Sequence, residues 1–196
     1  MKKILMVISL LAIVLDATAD TYAIGDGLGG RFMLTGGFTA GGDKVATIEF
    51  EDGDTADVRA GGEFLLGAGV DYRFSPNWEL QLTLNYQVDR EKADNGDASF
   101  HRMPIDLLGF YSQGPHRFGG GLTYHMNSEF ETDFDDFDEN SSVDFDDALG
   151  LVLEYDYFVS EALSLGVRYT DIEYKVTGSS QKIDGSYVGL MMNIYF

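Results

Sequence analysis

Tyr187-Val188-Gly189-Leu190-Met191-Met192-Asn193-Ile194-Tyr195-Phe196 ends the chain on an unbroken two-residue alternation. Val188, Leu190, Met192, Ile194 and Phe196 share one face; Tyr187, Gly189, Met191, Asn193 and Tyr195 share the other. Successive side chains of a strand point to opposite faces, so this segment reads as a strand with one apolar side. A soluble strand would bury that side in a core, and the rest of the sequence offers few other places for a core. The apolar face is therefore expected to meet lipid.

The same pattern recurs upstream. Trp78, Leu80, Leu82, Leu84, Tyr86 and Val88 alternate with Glu79, Gln81, Thr83, Asn85, Gln87 and Asp89. Before them Phe64, Leu66, Ala68, Val70, Tyr72 and Phe74 oppose Glu63, Gly67, Gly69, Asp71 and Arg73, and Ser75-Pro76-Asn77 turns one strand into the next. A second hairpin sets Met103, Ile105, Leu107 and Tyr111 opposite Arg102, Asp106 and Ser112. It turns at Gly114-Pro115 into Phe118, Leu122, Tyr124 and Met126, opposed by Arg117, Thr123 and His125. A third joins Leu149, Leu151, Leu153, Tyr155 and Tyr157 to Leu163, Leu165, Val167 and Tyr169 through Ser160-Glu161-Ala162, with Glu154, Asp156, Ser164, Gly166 and Arg168 inside. Asp171 breaks the alternation, as a bulge or the membrane boundary would. Phe32, Leu34 and Phe38 supply a first strand and residues 185–196 the last.

These strands number eight, each with an apolar stretch of roughly 9 to 12 residues, the length a tilted membrane-crossing strand needs. Three short turns alternate with four long loops near 41–60, 90–99, 127–147 and 175–184. The fold class read from this is an all-β, eight-stranded antiparallel up-and-down transmembrane β-barrel with four long outer loops and both chain ends on the short-turn side. Thr47-Ile48-Glu49-Phe50 can carry the first strand on to a hairpin turn at Asp52-Gly53. Tyr72, Phe74, Trp78, Tyr86, Tyr111, Tyr155 and Tyr157 fall at strand ends, where interfacial aromatic girdles lie. A soluble barrel or sandwich is the competing reading. Against it, the polar face is short of Lys and dotted with Gly, Thr, Asn and isolated charges, as a narrow polar lumen would be.

The N-terminus reads as a secretory leader over 1–19, with Lys2 and Lys3, an apolar run from Ile4 to Leu15 and an Ala17-Thr18-Ala19 cleavage site. A flexible segment over 20–30 then leads into a barrel domain over 31–196. The chain has 13 basic and 33 acidic residues, a net charge of −20; losing Lys2, Lys3 and Asp16 with the leader makes it about −21. Nucleic acid is excluded as a partner by such a surface. With no Cys, disulfides, thiolate metal sites and thiol nucleophiles are excluded too.

An eight-stranded barrel is just wide enough for its own side chains, so a large aqueous channel is not expected. The inward set carries both signs: Glu63, Asp71, Arg73, Glu79, Arg102, Asp106, Arg117, Glu154, Asp156 and Arg168. Counted from their shared turn, Glu154 and Arg168 lie at similar depth on neighbouring strands, and Arg102, Asp106, Glu154 and Arg168 form the candidate lumen charge network. His125-Met126-Asn127-Ser128 beside Glu129 is the one cluster with hydrolase-like types. Strict alternation, however, sends His125 and Ser128 to opposite faces, and no catalytic residue is assigned. Loop 127–147 holds ten carboxylates among Phe130, Phe134, Phe137 and Phe145. Divalent cations suit such oxygens, but the calcium-loop pattern is missing, so no dedicated metal site is assigned. The Phe residues must pack on neighbouring loops or touch a partner. Gly25-Asp26-Gly27-Leu28-Gly29-Gly30 matches G-x-G-x-x-G without the strand and helix that motif requires, and no cofactor is expected.

The leader, the turns, the run Gly166-Val167-Arg168-Tyr169-Thr170-Asp171-Ile172-Glu173-Tyr174 and the Phe196 terminus together resemble the small outer-membrane β-barrel proteins of Gram-negative bacteria, the broad group of OmpA-type transmembrane domains and OmpW-like barrels. The resemblance implies a place in the bacterial outer membrane among its lipids and lipopolysaccharide. It also implies a role for Leu190, Met192, Ile194 and Phe196 as the signal read by the barrel-assembly machinery. It does not extend to the peptidoglycan-binding domain of full-length OmpA-type proteins, so cell-wall tethering is not expected. Three function classes follow: a non-enzymatic structural or surface-interaction protein acting through acidic extracellular loops, a narrow channel for small solutes, and a lipid-modifying enzyme using His125 and Ser128.

Overall fold

Alternation of side chains on every strand dictates a sheet with two unlike faces, and closing that sheet is what lipid demands. The computed structural model describes residues 28–49, 55–93, 96–134 and 141–196. The leader, most of the 20–30 segment, the Asp52-Gly53 turn and the acidic stretch 135–140 lie outside the described residues. The strands are β1 (Gly29–Gly41), β2 (Lys44–Glu49), β3 (Thr55–Arg59), β4 (Glu63–Ser75), β5 (Trp78–Ala93), β6 (Gly96–Gln113) and β7 (His116–Phe134). They continue as β8 (Ser141–Asp144), β9 (Ala148–Ser160), β10 (Leu163–Asp171), β11 (Glu173–Lys175), β12 (Lys182–Asp184) and β13 (Tyr187–Tyr195). Among the described residues there is no helix.

Eight strands are staves of one closed antiparallel barrel, in the order β6-β5-β4-β1-β13-β10-β9-β7, with β7 returning to β6. Closure leaves no strand edge to lipid, so the ladder hydrogen bonds are made within the protein. The terminal strand is the closing stave: Met33 faces Tyr195 and Gly41 faces Tyr187 across β1, while Leu163 faces Ile194 across β10. Turns at Pro76-Asn77, Gly114-Pro115 and Glu161-Ala162 join the staves at one end. Gly114 has φ 58°, a conformation that favours glycine.

Through the membrane-crossing part the outward face is apolar (Phe32, Leu66, Leu82, Leu107, Leu151, Val167 and Leu190 are all exposed). The inward face is polar, with Thr35, Gln81, Asn85, Asp106, Arg117, Arg168 and Asn193 buried. An aromatic belt surrounds the short-turn end, where Trp78 meets Tyr111 edge-on at 5.2 Å and Phe118 lies 5.1 Å from Tyr155.

Above the membrane the staves continue and their polarity inverts. The segments 90–99 and 127–147 are not simply loops: β5 and β6 pair as far as Ala93 and Gly96, and β7 runs on to Phe134. Asp171 does not break the in–out alternation. Thr170, Ile172 and Tyr174 are buried while Asp171, Glu173 and Lys175 are exposed, so the outward face becomes charged and the inward face apolar. Val58, Ala60, Ala98, Phe100, Phe130, Phe145, Ala148, Ile172 and Tyr174 form a buried cluster over the lumen mouth. Phe100 meets Phe145 edge-on at 5.3 Å and Tyr174 at 5.5 Å. The expectation of few other cores is therefore corrected, while Phe130 and Phe145 pack on neighbouring strands within this lid, the first of the two placements expected for the loop aromatics. At about 1.5–3 kcal/mol per large apolar side chain buried, a lid of this size holds the outer ladders as a soluble core would. The β2–β3 hairpin does form, but as a separate ladder beyond Gly42 rather than a continuation of β1. Asp43 N–H donates to Asp184 O at 2.7 Å, tying that hairpin to the last loop.

A β-bulge corrects a second expectation. His101 pairs with Glu129 and Met103 with Met126, so Arg102 alone stands opposite Asn127 and Ser128. Asn127 takes φ 49°, which asparagine tolerates better than most residues. The extra residue turns Ser128 inward, and it shares the lumen face with His125. Glu63, expected inside, is exposed at the start of β4.

Candidate functional site

The inward side chains stack in three tiers. In the tier at the short-turn end, Arg117 on β7 reaches across the lumen. Its Nη1 donates to Glu79 Oε2 at 3.0 Å, Tyr195 OH at 3.0 Å and Asp71 Oδ1 at 3.4 Å, its Nη2 to Gln81 Oε1, and its Nε lies 3.4 Å from Asp156 Oδ2. The guanidinium also sits 3.6 Å over the Phe110 ring. Arg31 pairs with Asp71 at 2.9 Å and covers the Tyr195 ring at 3.9 Å, and Arg73 pairs with Glu79. Leu108, Phe110 and Val152 form a small apolar cluster inside the same lumen.

The middle tier gathers three of the four residues of the candidate charge network. Arg168 Nε donates to Glu154 Oε2 at 2.5 Å, and its Nη1 donates to Asp106 Oδ2 at 2.7 Å from across the lumen. Asn85 Nδ2 adds a bond to Asp106 Oδ2 at 3.0 Å. Arg102 stands apart from this group. It lies in the outer tier, where its Nη2 donates to Gly62 O at 2.9 Å and its guanidinium lies 4.9 Å from the Phe100 ring centre. Close by, Gln87 Nε2 donates to Thr39 Oγ1 at 2.9 Å, and the Tyr174 hydroxyl meets His125 Nδ1 at 2.7 Å. Burial under the lid pushes the Tyr174 phenol up, so it stays protonated and able to donate.

Gln81, Arg117, Asp156 and Arg168 are wholly excluded from solvent, so side chains fill the lumen at their level. Charges of both signs satisfy one another there, which is how a narrow polar interior tolerates ions. Ser128 and His125 sit inside this closed space, not on the lipid face, and the hydrogen bond of His125 runs to Tyr174. On the outer surface, His101 Nε2 lies 3.6 Å from Glu129 Oε2 and its Nδ1 lies 3.8 Å from Glu131 Oε2. A donor atom from each of these three residues falls within 4.8 Å of the others, and Asp144 stands opposite Glu129 on β8.

Leu190 and Phe196 of the terminal strand are exposed and Met192 and Ile194 half-buried, all four on the outward face. Phe196 N–H donates to Phe32 O at 2.9 Å beside Arg31. Arg31 and Tyr195 were not singled out as lumen groups from sequence. The signal for Tyr195 was present, since it alternates out of phase with the apolar face of its strand.

Among curated protein sequences none matches the chain. Solved structures do. Neisserial surface protein A (NspA) aligns over 85% of this chain and 97% of its own, with TM-score 0.51 and 14% identity. The outer membrane protein AlkL, solved in lipid bilayers, aligns over 91% of this chain and 95% of its own, with TM-score 0.43 and 15% identity. The outer membrane protein OprG from Pseudomonas aeruginosa aligns over 86% and 97%, with TM-score 0.43 and 19% identity. NspA, at that identity, speaks for the fold alone. Residues 8–196 match the family described as outer membrane protein beta-barrel domain. With its closed eight-stave barrel, lipid-facing apolar surface and nearly full-length match, the chain belongs to the outer membrane protein beta-barrel domain family and resides in the bacterial outer membrane.

Proposed function

We propose that this barrel is a closed, non-enzymatic surface protein whose acidic outer ladders and loops do the contacting. The observation that carries this reading is the lumen: two tiers of ion pairs centred on Arg117 and Arg168 fill it, and an aromatic lid covers its outer mouth. What is left for contact is the charged outside of the extracellular ladders, where Glu131, Asp144, Asp147, Asp171 and Glu173 are exposed. Carboxylates at that height face the phosphate-bearing headgroups of lipopolysaccharide, and divalent cations with their preference for oxygen ligands are the natural bridge. The inward placement of His125 and Ser128 supports a role outside lipid chemistry, because an acyl chain in the membrane does not reach them.

Two measurements test this. In planar bilayers the protein should give conductance at background; discrete channel steps would overturn the closed-lumen reading. Lipopolysaccharide should bind the purified barrel more tightly with magnesium or calcium present. The variant carrying Glu131→Gln, Asp144→Asn, Asp171→Asn and Glu173→Gln should lose that cation dependence. Retained dependence would remove the rim carboxylates from the account.

A further inference from the structure

On the outer ladder, a histidine and two glutamates share a patch that two strands assemble. His101 of β6 stands opposite Glu129 of β7, and Ser99 opposite Glu131. Phe100 and Phe130 between them are buried in the lid, so the alternate positions face outward on strands that the lid holds fixed. The bulge at Asn127 decides which residues these are. Without its extra residue Glu129 and Glu131 would fall in phase with His125 and point into the barrel; with it they come out beside His101.

The spacing of the three groups is that of ligands rather than of hydrogen-bond partners. His101 Nε2 lies 3.6 Å from Glu129 Oε2 and its Nδ1 3.8 Å from Glu131 Oε2, both too long for a hydrogen bond. One donor atom from each residue falls within 4.8 Å of the others. Ligand atoms on one tetrahedral zinc ion, each bonded at about 2.0–2.2 Å, lie roughly 3.3–3.6 Å apart, so small side-chain rotations gather the three on one metal.

Two further observations point to a cation here. Asp144 on β8 stands directly opposite Glu129, and like charges facing each other across a ladder are unfavourable without a positive charge beside them. Ser99, only 7% exposed, faces outward beside His101 and Glu131, and its hydroxyl makes no hydrogen bond among the described residues. A covered hydroxyl without a partner is an oxygen available to the metal or to a water held on it. Arg90 stands opposite Ser99 from β5, but among the described residues no ion pair joins it to either glutamate.

We propose that His101, Glu129 and Glu131 form a zinc-type site on the outside of the β6–β7 ladder, with the fourth position open to water or to Ser99. The donor set decides the metal. An imidazole nitrogen with two carboxylates suits a borderline first-row ion such as zinc, whereas calcium and magnesium favour oxygen alone. Two carboxylates and a neutral imidazole also cancel the two charges of the ion. The site goes beyond the lipopolysaccharide reading, which asks for exposed carboxylates with calcium or magnesium and does not involve His101.

The test uses full-length protein without an added histidine tag, refolded in detergent micelles, stripped with a chelator and free of lipopolysaccharide. Zinc is titrated by calorimetry and by competition with a chelating dye, and cobalt(II) is added as a probe whose visible absorption reports four-coordinate binding. One zinc per chain is expected, bound at least tenfold more tightly than calcium or magnesium. Affinity should fall at least tenfold in His101→Ala and Glu129→Gln and stay unchanged in His116→Ala at the opposite end of the barrel. Equal affinity for zinc and calcium, several weak sites insensitive to His101→Ala, or no saturable binding would each overturn the proposal. If Glu129→Gln fails the heat-modifiable mobility check for folding, His101→Ala and Glu131→Gln decide the matter: unchanged zinc affinity in both overturns it. Because His101→Ala should leave magnesium-dependent lipopolysaccharide binding intact, failure of this site and failure of the rim reading are distinguishable.

Discussion

Arg168 on β10 and Glu154 on β9 stand at the same register level and pair at 2.5 Å, both wholly buried, while Asp106 reaches the same guanidinium from the far wall. A buried cation shared by two carboxylates is strongly asymmetric in its energetics. Removing the cation leaves two unpaired charges, whereas neutralising all three leaves no buried charge, only neutral amides with far weaker demands. Arg168→Met should therefore destabilise the barrel by about 3–5 kcal/mol. The triple variant Arg168→Met, Glu154→Gln, Asp106→Asn should recover much of that loss. Urea unfolding from lipid vesicles, followed by Trp78 fluorescence, measures both; equal losses would mean that the three groups are not coupled.

The glycines of β6 and β7 give a matched pair. A Cβ on Gly121 would run into the carbonyl of Leu107 and lie 2.9 Å from the Leu108 Cα, backbone atoms that cannot step aside. On Gly109 the nearest atom would be Gly120 O at 4.0 Å. Gly121→Ala should cost about 1–3 kcal/mol by overpacking, and Gly109→Ala should fall well below that. The same vesicle unfolding assay separates them, and similar values would argue against close approach of these strands.

The staves were legible because lipid enforces alternation: Leu80 to Val88 can have only one outward phase, and counting from the Glu161 turn sets Glu154 level with Arg168. The lid was harder to see. Its signal is the same period in the opposite phase, Glu129-Phe130-Glu131, Asp144-Phe145-Asp146 and Asp171-Ile172-Glu173-Tyr174, where the acidic residues draw attention and the buried ones between them hold the structure. Contacts across the lumen were not legible at all. Arg117 meets Asp71 and Glu79 only because the sheet closes, and no strand-by-strand pattern encodes that distance. The bulge was hidden for a different reason: one extra residue at Asn127 flips every face that follows, and its sequence looks ordinary.

Outside the membrane, Asp184 accepts hydrogen bonds from the Ser186 N–H at 2.9 Å, and its own N–H donates to Asp43 Oδ2 at 2.9 Å, joining the first and last loops. The side-chain and backbone bonds from Ser186 hold the Asp184 carboxyl below its ordinary value. A depressed folded-state value means that the contribution is present above the unfolded value and is lost as pH falls through the folded one. The Ser186 amide should therefore exchange faster with solvent as pH drops below the ordinary aspartate range, after correction for intrinsic rates. Asp184→Asn should remove the pH dependence. A flat profile in the unmodified protein would detach this carboxylate from the loop's order.

The last stave closes the barrel through a single residue beyond its ladder: Phe196 N–H donates to Phe32 O at 2.9 Å, and the Phe196 ring stays on the lipid side with Ile194, Met192 and Leu190. In the finished barrel this one bond contributes only about 1 kcal/mol, too little to decide whether the fold survives. Deleting Phe196 should accordingly leave the stability of protein refolded in vitro almost unchanged. If the terminal strand is what the assembly machinery reads, the same deletion should sharply reduce the heat-modifiable form in the outer membrane of cells, more than deleting 135–140 does. Fractionation and gel mobility of the two deletions, side by side with refolding in vesicles, measure this. A similar loss from both deletions in cells, or a matching loss in vitro, would leave Phe196 a structural residue without a sorting role.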